Sequence, residues 1–157
     1  MTTSNEICGL PVLVLNKRNG NGRIYTNESA NTIIEQFDKN IKRIGTVFGE
    51  IEDYSGNTIT DLSFSKVTHM VKRIYIGGDY DDIVYADIEF LNVPLAELAK
   101  TMLFEEGAVL RPKSIGYVRG GEVEISEFIT LELVRAENDP YANLFYVPKN
   151  YWELVED

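Results

Sequence analysis

The sequence predicts an α+β fold, a compact β-barrel of mostly antiparallel strands with two flanking helices. Many short segments alternate apolar and polar side chains, which is typical of half-buried strands. Only two segments carry apolar residues at spacings of three and four, as an amphipathic helix does. Many strands with few helices favour a small barrel that has helices at its sides.

The first predicted elements are a buried strand, a wide loop and a helix. Residues 10–15 are an apolar run that predicts the strand. An Asn- and Gly-rich segment, residues 16–29, predicts a long loop or wide hairpin connection, because both residue types tolerate positive φ. Asn27 or Ser29 is expected to cap a helix that ends at Gly45. The apolar stripe of this helix consists of Ile33, Ile34, Phe37 and Ile41.

A hairpin and the second helix follow. Residues 66–76 and 82–91 both alternate apolar and polar side chains, so they are expected to pair across the intervening glycine turn. Pro94 opens the second helix and Gly107 ends it. Its apolar face consists of Leu95, Leu98, Ala99, Met102 and Leu103.

Two further strands, around residues 113–118 and 122–133, are predicted on either side of a Gly-Gly turn. The total length of 157 residues, 44% of them hydrophobic, is that of one ordinary domain. We therefore expect a single domain over residues 1–157, in which residues 143–157 form a C-terminal arm.

Composition bounds the function classes. The net charge of −10 opposes a nucleic-acid partner, because affinity for phosphates comes from clustered Lys and Arg. Cys8 is the only cysteine, which excludes an intrachain disulfide and indicates a reducing compartment. No stretch approaches the roughly 20 apolar residues of a membrane span, so we expect a soluble cytoplasmic protein without a membrane partner.

Local motifs for metal or cofactor chemistry are missing from the sequence. It contains no CxxC pair, no HExxH, no phosphate-binding GxxxxGK and no GxGxxG after a strand. Asp79, Asp81 and Asp82 form an acidic cluster, but their spacing lacks the pattern of a calcium loop and indicates a solvated turn. No cofactor and no metal are therefore expected.

The remaining candidate chemistry is a serine nucleophile with a histidine base. His69 is the only histidine and lies in a predicted strand. Ser114 stands in a predicted turn before Gly116, where a glycine lets backbone N–H groups approach a developing oxyanion. From the residues alone, an ordinary strand-edge serine and a structural histidine remain the more frequent interpretations.

The order of several segments resembles that in the prohead (capsid maturation) proteases of tailed phages. The landmarks are NGNGRIY before the first helix, Gly49-Glu50, KVTHMV, IVYADIEFLNVP, a helix that ends at Gly107, and SIGY. The resemblance covers roughly residues 12–145. It implies a small β-barrel with flanking helices, related to the herpesvirus assembly protease. In that family the enzyme trims scaffold and capsid proteins inside the immature head.

The resemblance assigns candidate roles by position. Ser114 matches the nucleophile, and Glu132 falls where the family often has an acidic residue. The family's general histidine position is occupied by Asp53, whereas His69 matches a second and less general histidine. Another branch has two adjacent serines, and the first of them corresponds to Lys113. The resemblance therefore implies a degenerate catalytic set.

We thus expect a prohead-protease-like protein of head assembly that is catalytically impaired and acts as a structural or assembly component of the virion. A serine without a nearby imidazole is a poor nucleophile at neutral pH. One alternative is an active serine endopeptidase that uses Ser114, His69 as a relocated base, and Glu132 or Asp53 as the orienting acid. Another is a barrel domain of unrelated function whose motifs match by coincidence.

The expected partners and location follow from the same resemblance. Capsid or scaffold proteins of the phage are the expected partners, and self-association into a homo-oligomer is left open. The cytoplasm of the infected bacterium and the phage head are the expected locations.

Overall fold

The computed structural model describes residues 5–18, 22–52 and 66–135, and the backbone of residues 155–156. In these residues one curled sheet is flanked by two helices. The strands are β1 (Glu6–Val14), β2 (Val47–Ile51), β3 (Val67–Gly77), β4 (Ile83–Phe90), β5 (Val109–Arg119), β6 (Glu122–Val134) and β7 (Val155–Glu156). The helices are α1 (Asn27–Ile44) and α2 (Pro94–Glu105).

The strand order in the sheet is β1-β4-β3-β2-β6-β5-β7. Neighbouring strands are antiparallel except for two pairs, β2 with β6 and β5 with β7, which are parallel. Strand β1 at one edge also lies against β5 near the other edge, so the sheet curls into a half-barrel. The predicted α+β class with mostly antiparallel strands and two flanking helices is confirmed.

Helix α1 forms where the apolar stripe predicts it, but its cap differs from the prediction. Thr26 is the N-cap: its side chain accepts from the backbone N–H of Ser29, and Ser29 Oγ accepts in turn from the Thr26 backbone. Gly45 ends the helix at a φ of 95°, as expected. Ile33 and Phe37 are buried in the core.

Helix α2 begins at Pro94 and ends just before Gly107, as predicted. Its packing face is shifted, however. Ala96, Ala99 and Met102 are buried, whereas Leu98 is 39% exposed. The prediction that Leu98 packs in the core is wrong, because small alanine side chains let this helix approach the sheet along a different face.

The strands of the two predicted hairpins are confirmed. In β4, buried and half-buried side chains alternate strictly, and β4 pairs antiparallel with β3. Strands β5 and β6 pair along their whole lengths. Ser114 was expected in a turn, but it lies in the middle of β5 opposite Phe128. A neighbouring register shift in the ladder explains the irregular apolar pattern there.

Some predictions fall outside the described residues. Asp53 lies there, and so does most of the expected C-terminal arm; only Val155 and Glu156 are described, as a short parallel partner of Tyr117 and Val118 in β5. No helix within the described ranges is both long and apolar enough to cross a membrane.

Candidate functional site

Buried polar side chains collect where β2, β3, β5 and β6 adjoin. Each of them is at most 4% exposed, although polar groups are normally costly to bury. This polar cluster consists of Glu50, Glu52, Thr68, His69, Arg111, Lys113, Ser114, Thr130 and Glu132. A concentration of buried charge in one part of a sheet marks a candidate functional site.

The sheet register places three charged residues of the polar cluster side by side. Glu132 of β6 is the register partner of Arg111 in β5 and of Glu50 in β2. Register partners direct their side chains to the same face of a sheet. A cation on β5 and two carboxylates on β6 and β2 therefore share one row.

Lys113, two residues along β5, joins the same face. Its Nζ lies 2.5 Å from Glu50 Oε1, and both side chains are at most 5% exposed. The pair bridges β5 to β2 across the intervening β6. Lys113 thus has a structural carboxylate partner at the position that the resemblance linked to a serine.

His69 lies at the start of β3, directly above a glycine of β2. Gly49 is its register partner, and a Cβ on Gly49 would lie 1.9 Å from His69 Nε2. Only glycine fits here, because any side chain would occupy the space of the ring. Phe90 of β4 packs edge-on against the other side of the ring, at 6.3 Å between centroids.

The environment of His69 is that of a neutral imidazole. Burial lowers its pKa from 6.5 to about 4, because desolvation penalises the charged ring, and the backbone of Leu131 opposes this only in part. Nδ1 shares a hydrogen bond of 3.0 Å with Thr68 Oγ1. Nε2 makes no hydrogen bond of ordinary geometry. At neutral pH the ring is therefore uncharged.

Ser114 is 1% exposed and its Oγ makes no hydrogen bond. It therefore does not share a proton with His69. Strands β2 and β6 lie between β3, which carries His69, and β5, which carries Ser114. Three inter-strand spacings of about 4.8 Å amount to roughly 14 Å along the sheet. The two residues are also offset along the strand direction. Pro112 is the β5 residue that pairs with Leu131 near the ring, and Ser114 lies two residues further along β5, roughly 6–7 Å away.

Gly116 has a packing role that the sequence did not reveal. A Cβ on this residue would lie 2.2 Å from the backbone oxygen of Glu124 on β6. The glycine thus permits a close approach of β5 and β6 beside a register shift between Ile115 and Gly116. The expected use of Gly116 at an oxyanion gains no support from this position within the β5–β6 ladder.

The structure brings three of the predicted site residues into one region of the sheet. His69, Ser114 and Glu132 all belong to the polar cluster, and Asp53 follows Glu52 but is not among the described residues. Within the described ranges, no three His, Cys, Asp or Glu side chains lie close enough to hold a metal ion. Sequence reasoning missed Thr68 and the pairing of Glu50 with Lys113. The mid-strand Gly49 was the one local signal of a close approach.

The curled half-barrel with two flanking helices is the fold of a phage capsid assembly protease. One solved structure that shares it is the capsid assembly protease gp21 of bacteriophage T4. The TM-score is 0.55, and the match covers 82% of this chain and 90% of that chain at 12% sequence identity. No family model and no curated protein matches the sequence. The likeness shows a shared fold.

Proposed function

We propose that this chain is a head-assembly protein of a tailed phage that has the capsid-protease fold, binds capsid or scaffold proteins, and hydrolyses peptide bonds weakly or not at all. The fold shared with the T4 assembly protease supports the head-assembly part. Because that match spans most of both chains, it argues against a coincidental likeness of short motifs. A protein with this role acts in the host cytoplasm and in the immature head.

The separation of Ser114 from His69 supports impaired catalysis. A serine attacks a peptide only when a base takes its proton, at about 2.6–3.2 Å or through one water. Ser114 Oγ makes no direct hydrogen bond with a base among the described residues, and the ring of His69 is directed over Gly49. This single relationship carries the proposal of a weak or absent protease.

The neighbouring lysine does not replace the missing base. A lysine activates a serine when its amine is neutral and near the hydroxyl. Lys113 Nζ instead lies 2.5 Å from Glu50 Oε1, so the amine is directed at a carboxylate. A serine–lysine mechanism is therefore not supported.

An active serine endopeptidase is the second candidate, and one observation favours it. Ser114 Oγ and His69 Nε2 are both buried and both lack a hydrogen bond, which is unusual for polar atoms in a folded core. Unsatisfied groups of this kind are found where a substrate or a conformational change completes a site.

The test is co-expression of the full chain, in wild-type and Ser114→Ala forms, with the scaffold and major capsid proteins of the same phage. We expect both forms to co-purify with one of these proteins, and intact-mass spectra to show the same uncleaved products. Cleavage that is lost in Ser114→Ala would establish the endopeptidase. Failure of both forms to bind either protein would refute the assembly role.

A further inference from the structure

The surroundings of the two ring nitrogens of His69 differ in a way that bears on its role. Nδ1 is directed along β3 to the hydroxyl of Thr68, at 3.0 Å. Nε2 is directed across the sheet and sits over Gly49 of β2. Both Thr68 and His69 are fully buried, so no solvent competes for either nitrogen.

A neutral imidazole carries one proton, on either Nδ1 or Nε2, and the hydrogen bond at one nitrogen decides the state of the other. Burial keeps the ring of His69 neutral at pH 7, since its pKa is lowered to about 4. One nitrogen must therefore be N–H and the other a lone pair.

The strand register indicates which end of the ring prefers the proton. Glu50 pairs in parallel with Glu132, so the preceding residue of β2, Gly49, lies beside Leu131 of β6. The backbone of Leu131 raises the pKa of His69 and so favours a proton on the ring. Because Nε2 is the nitrogen over Gly49, it is the end that faces this backbone.

The other end of the ring fits a lone pair. A hydroxyl both donates and accepts, so Thr68 Oγ1 is able to donate its proton to Nδ1. If Nδ1 is the acceptor, the ring proton lies on Nε2. This agrees with the effect of the Leu131 backbone of β6, which favours a proton on the ring.

We propose that Thr68 is a positioning residue that holds His69 in the Nε2–H tautomer, so that the ring nitrogen over Gly49 carries a proton and offers no lone pair as a base. In the serine hydrolases a carboxylate, and not a hydroxyl, contacts Nδ1 of the histidine. The carboxylate accepts a hydrogen bond from Nδ1–H, and the lone pair on Nε2 is then the base. A donating hydroxyl inverts this arrangement. In a working triad, forcing the wrong tautomer costs about 10⁴-fold in kcat.

This inference deepens the proposed function and rests on it, but its test does not depend on proteolysis. His69 is the only histidine, so a ¹⁵N-labelled full chain gives one set of imidazole signals. Long-range ¹H–¹⁵N correlation spectra at pH 7 distinguish the two tautomers directly. We expect the pattern of Nε2–H in the wild type.

Two variants test the part of Thr68. Thr68→Val keeps the shape and removes the hydroxyl, so we expect a changed tautomer ratio and loss of the hydrogen-bond shift at Nδ1. Thr68→Ser keeps a hydroxyl and is expected to restore the wild-type pattern. Thr130→Val is the matched control, because Thr130 is equally buried but donates to the Phe48 carbonyl.

The outcomes separate the two proposals. A wild-type spectrum of the Nδ1–H tautomer would overturn the role of Thr68, and so would a Thr68→Val spectrum identical to the wild type. The wild-type measurement decides the matter even if Thr68→Val does not fold. Cleavage of a co-expressed scaffold protein would contradict the proposed function and would leave the tautomer result standing.

Discussion

Lys113 Nζ lies 2.5 Å from Glu50 Oε1, and the two side chains are 5% and 3% exposed. The ion pair spans β6 to connect β5 with β2 in the part of the sheet where the candidate nucleophile lies. Charges this deeply buried are tolerated only when they are paired. The pair is thus a buried structural link between β5 and β2.

We expect Lys113→Met to destabilise the fold by about 3–5 kcal/mol, because it removes the cation beside a buried carboxylate. The double variant Lys113→Met with Glu50→Met removes both charges and is expected to recover most of this loss. Urea denaturation measures both free energies of unfolding. Lys100→Met is the control, since its partner Glu97 is 76% exposed and such a surface pair is worth about 1 kcal/mol or less. Equal losses of unfolding free energy for Lys113→Met and Lys100→Met would contradict a structural role for the buried pair.

Gly49→Ala is expected to displace the ring of His69, because the added Cβ would lie 1.9 Å from Nε2. The cost of such overpacking is about 1–3 kcal/mol. In a His69→Ala background the same substitution should cost much less, and the difference is the coupling energy of a double-mutant cycle. Gly77→Ala serves as a control, because its Cβ would meet only the edge of Tyr85 at 3.1 Å. Additive losses for Gly49 and His69 would show that they do not compete for space.

The stability of this protein is expected to fall as the pH is lowered from 6.5 to 4. The pKa of His69 is about 4 in the folded chain, whereas a histidine in the unfolded chain titrates near 6.5. In that window the unfolded state binds a proton that the folded state does not, so unfolding becomes easier by about 3 kcal/mol in total. The His69→Gln variant lacks this group and should show a shallower slope in urea midpoints measured at stepped pH. Parallel slopes for the two proteins would refute burial of a neutral ring.

Ser29→Ala is expected to destabilise the fold by about 1–3 kcal/mol. Ser29 Oγ donates to the Val123 carbonyl of β6 at 2.5 Å and takes part in the capping box with Thr26. The substitution therefore removes the Ser29 half of the capping box and a buried link between α1 and the sheet. Thr32→Ala on the same helix is the control, because its hydroxyl is exposed and bonds only within the helix. Thermal unfolding of both variants should separate them clearly, and a loss at Thr32 as large as that at Ser29 would count against this role.

Local patterns in the sequence were sufficient to predict much of the fold. The apolar stripe around Ile33 and Phe37 predicted α1, Gly45 predicted its end, and the alternation in residues 83–90 predicted β4. These features follow from interactions between residues that are close in the chain, so the periodicity of side chains reveals them. The resemblance to phage prohead proteases also predicted the fold class, and the structure shares its fold with one capsid assembly protease.

Only the tertiary structure decided what the polar residues do. The parallel pairing of β2 with β6 brings Glu50 beside Glu132, and the strand order brings Lys113, 63 residues away in the sequence, to Glu50. No local pattern encodes such contacts, because they depend on strand order and register. The sequence alone determined which residues are available for chemistry. The register determined that His69 lies over Gly49 and that Ser114 lies opposite Phe128, since strand pairing and not local sequence fixes which side chains adjoin.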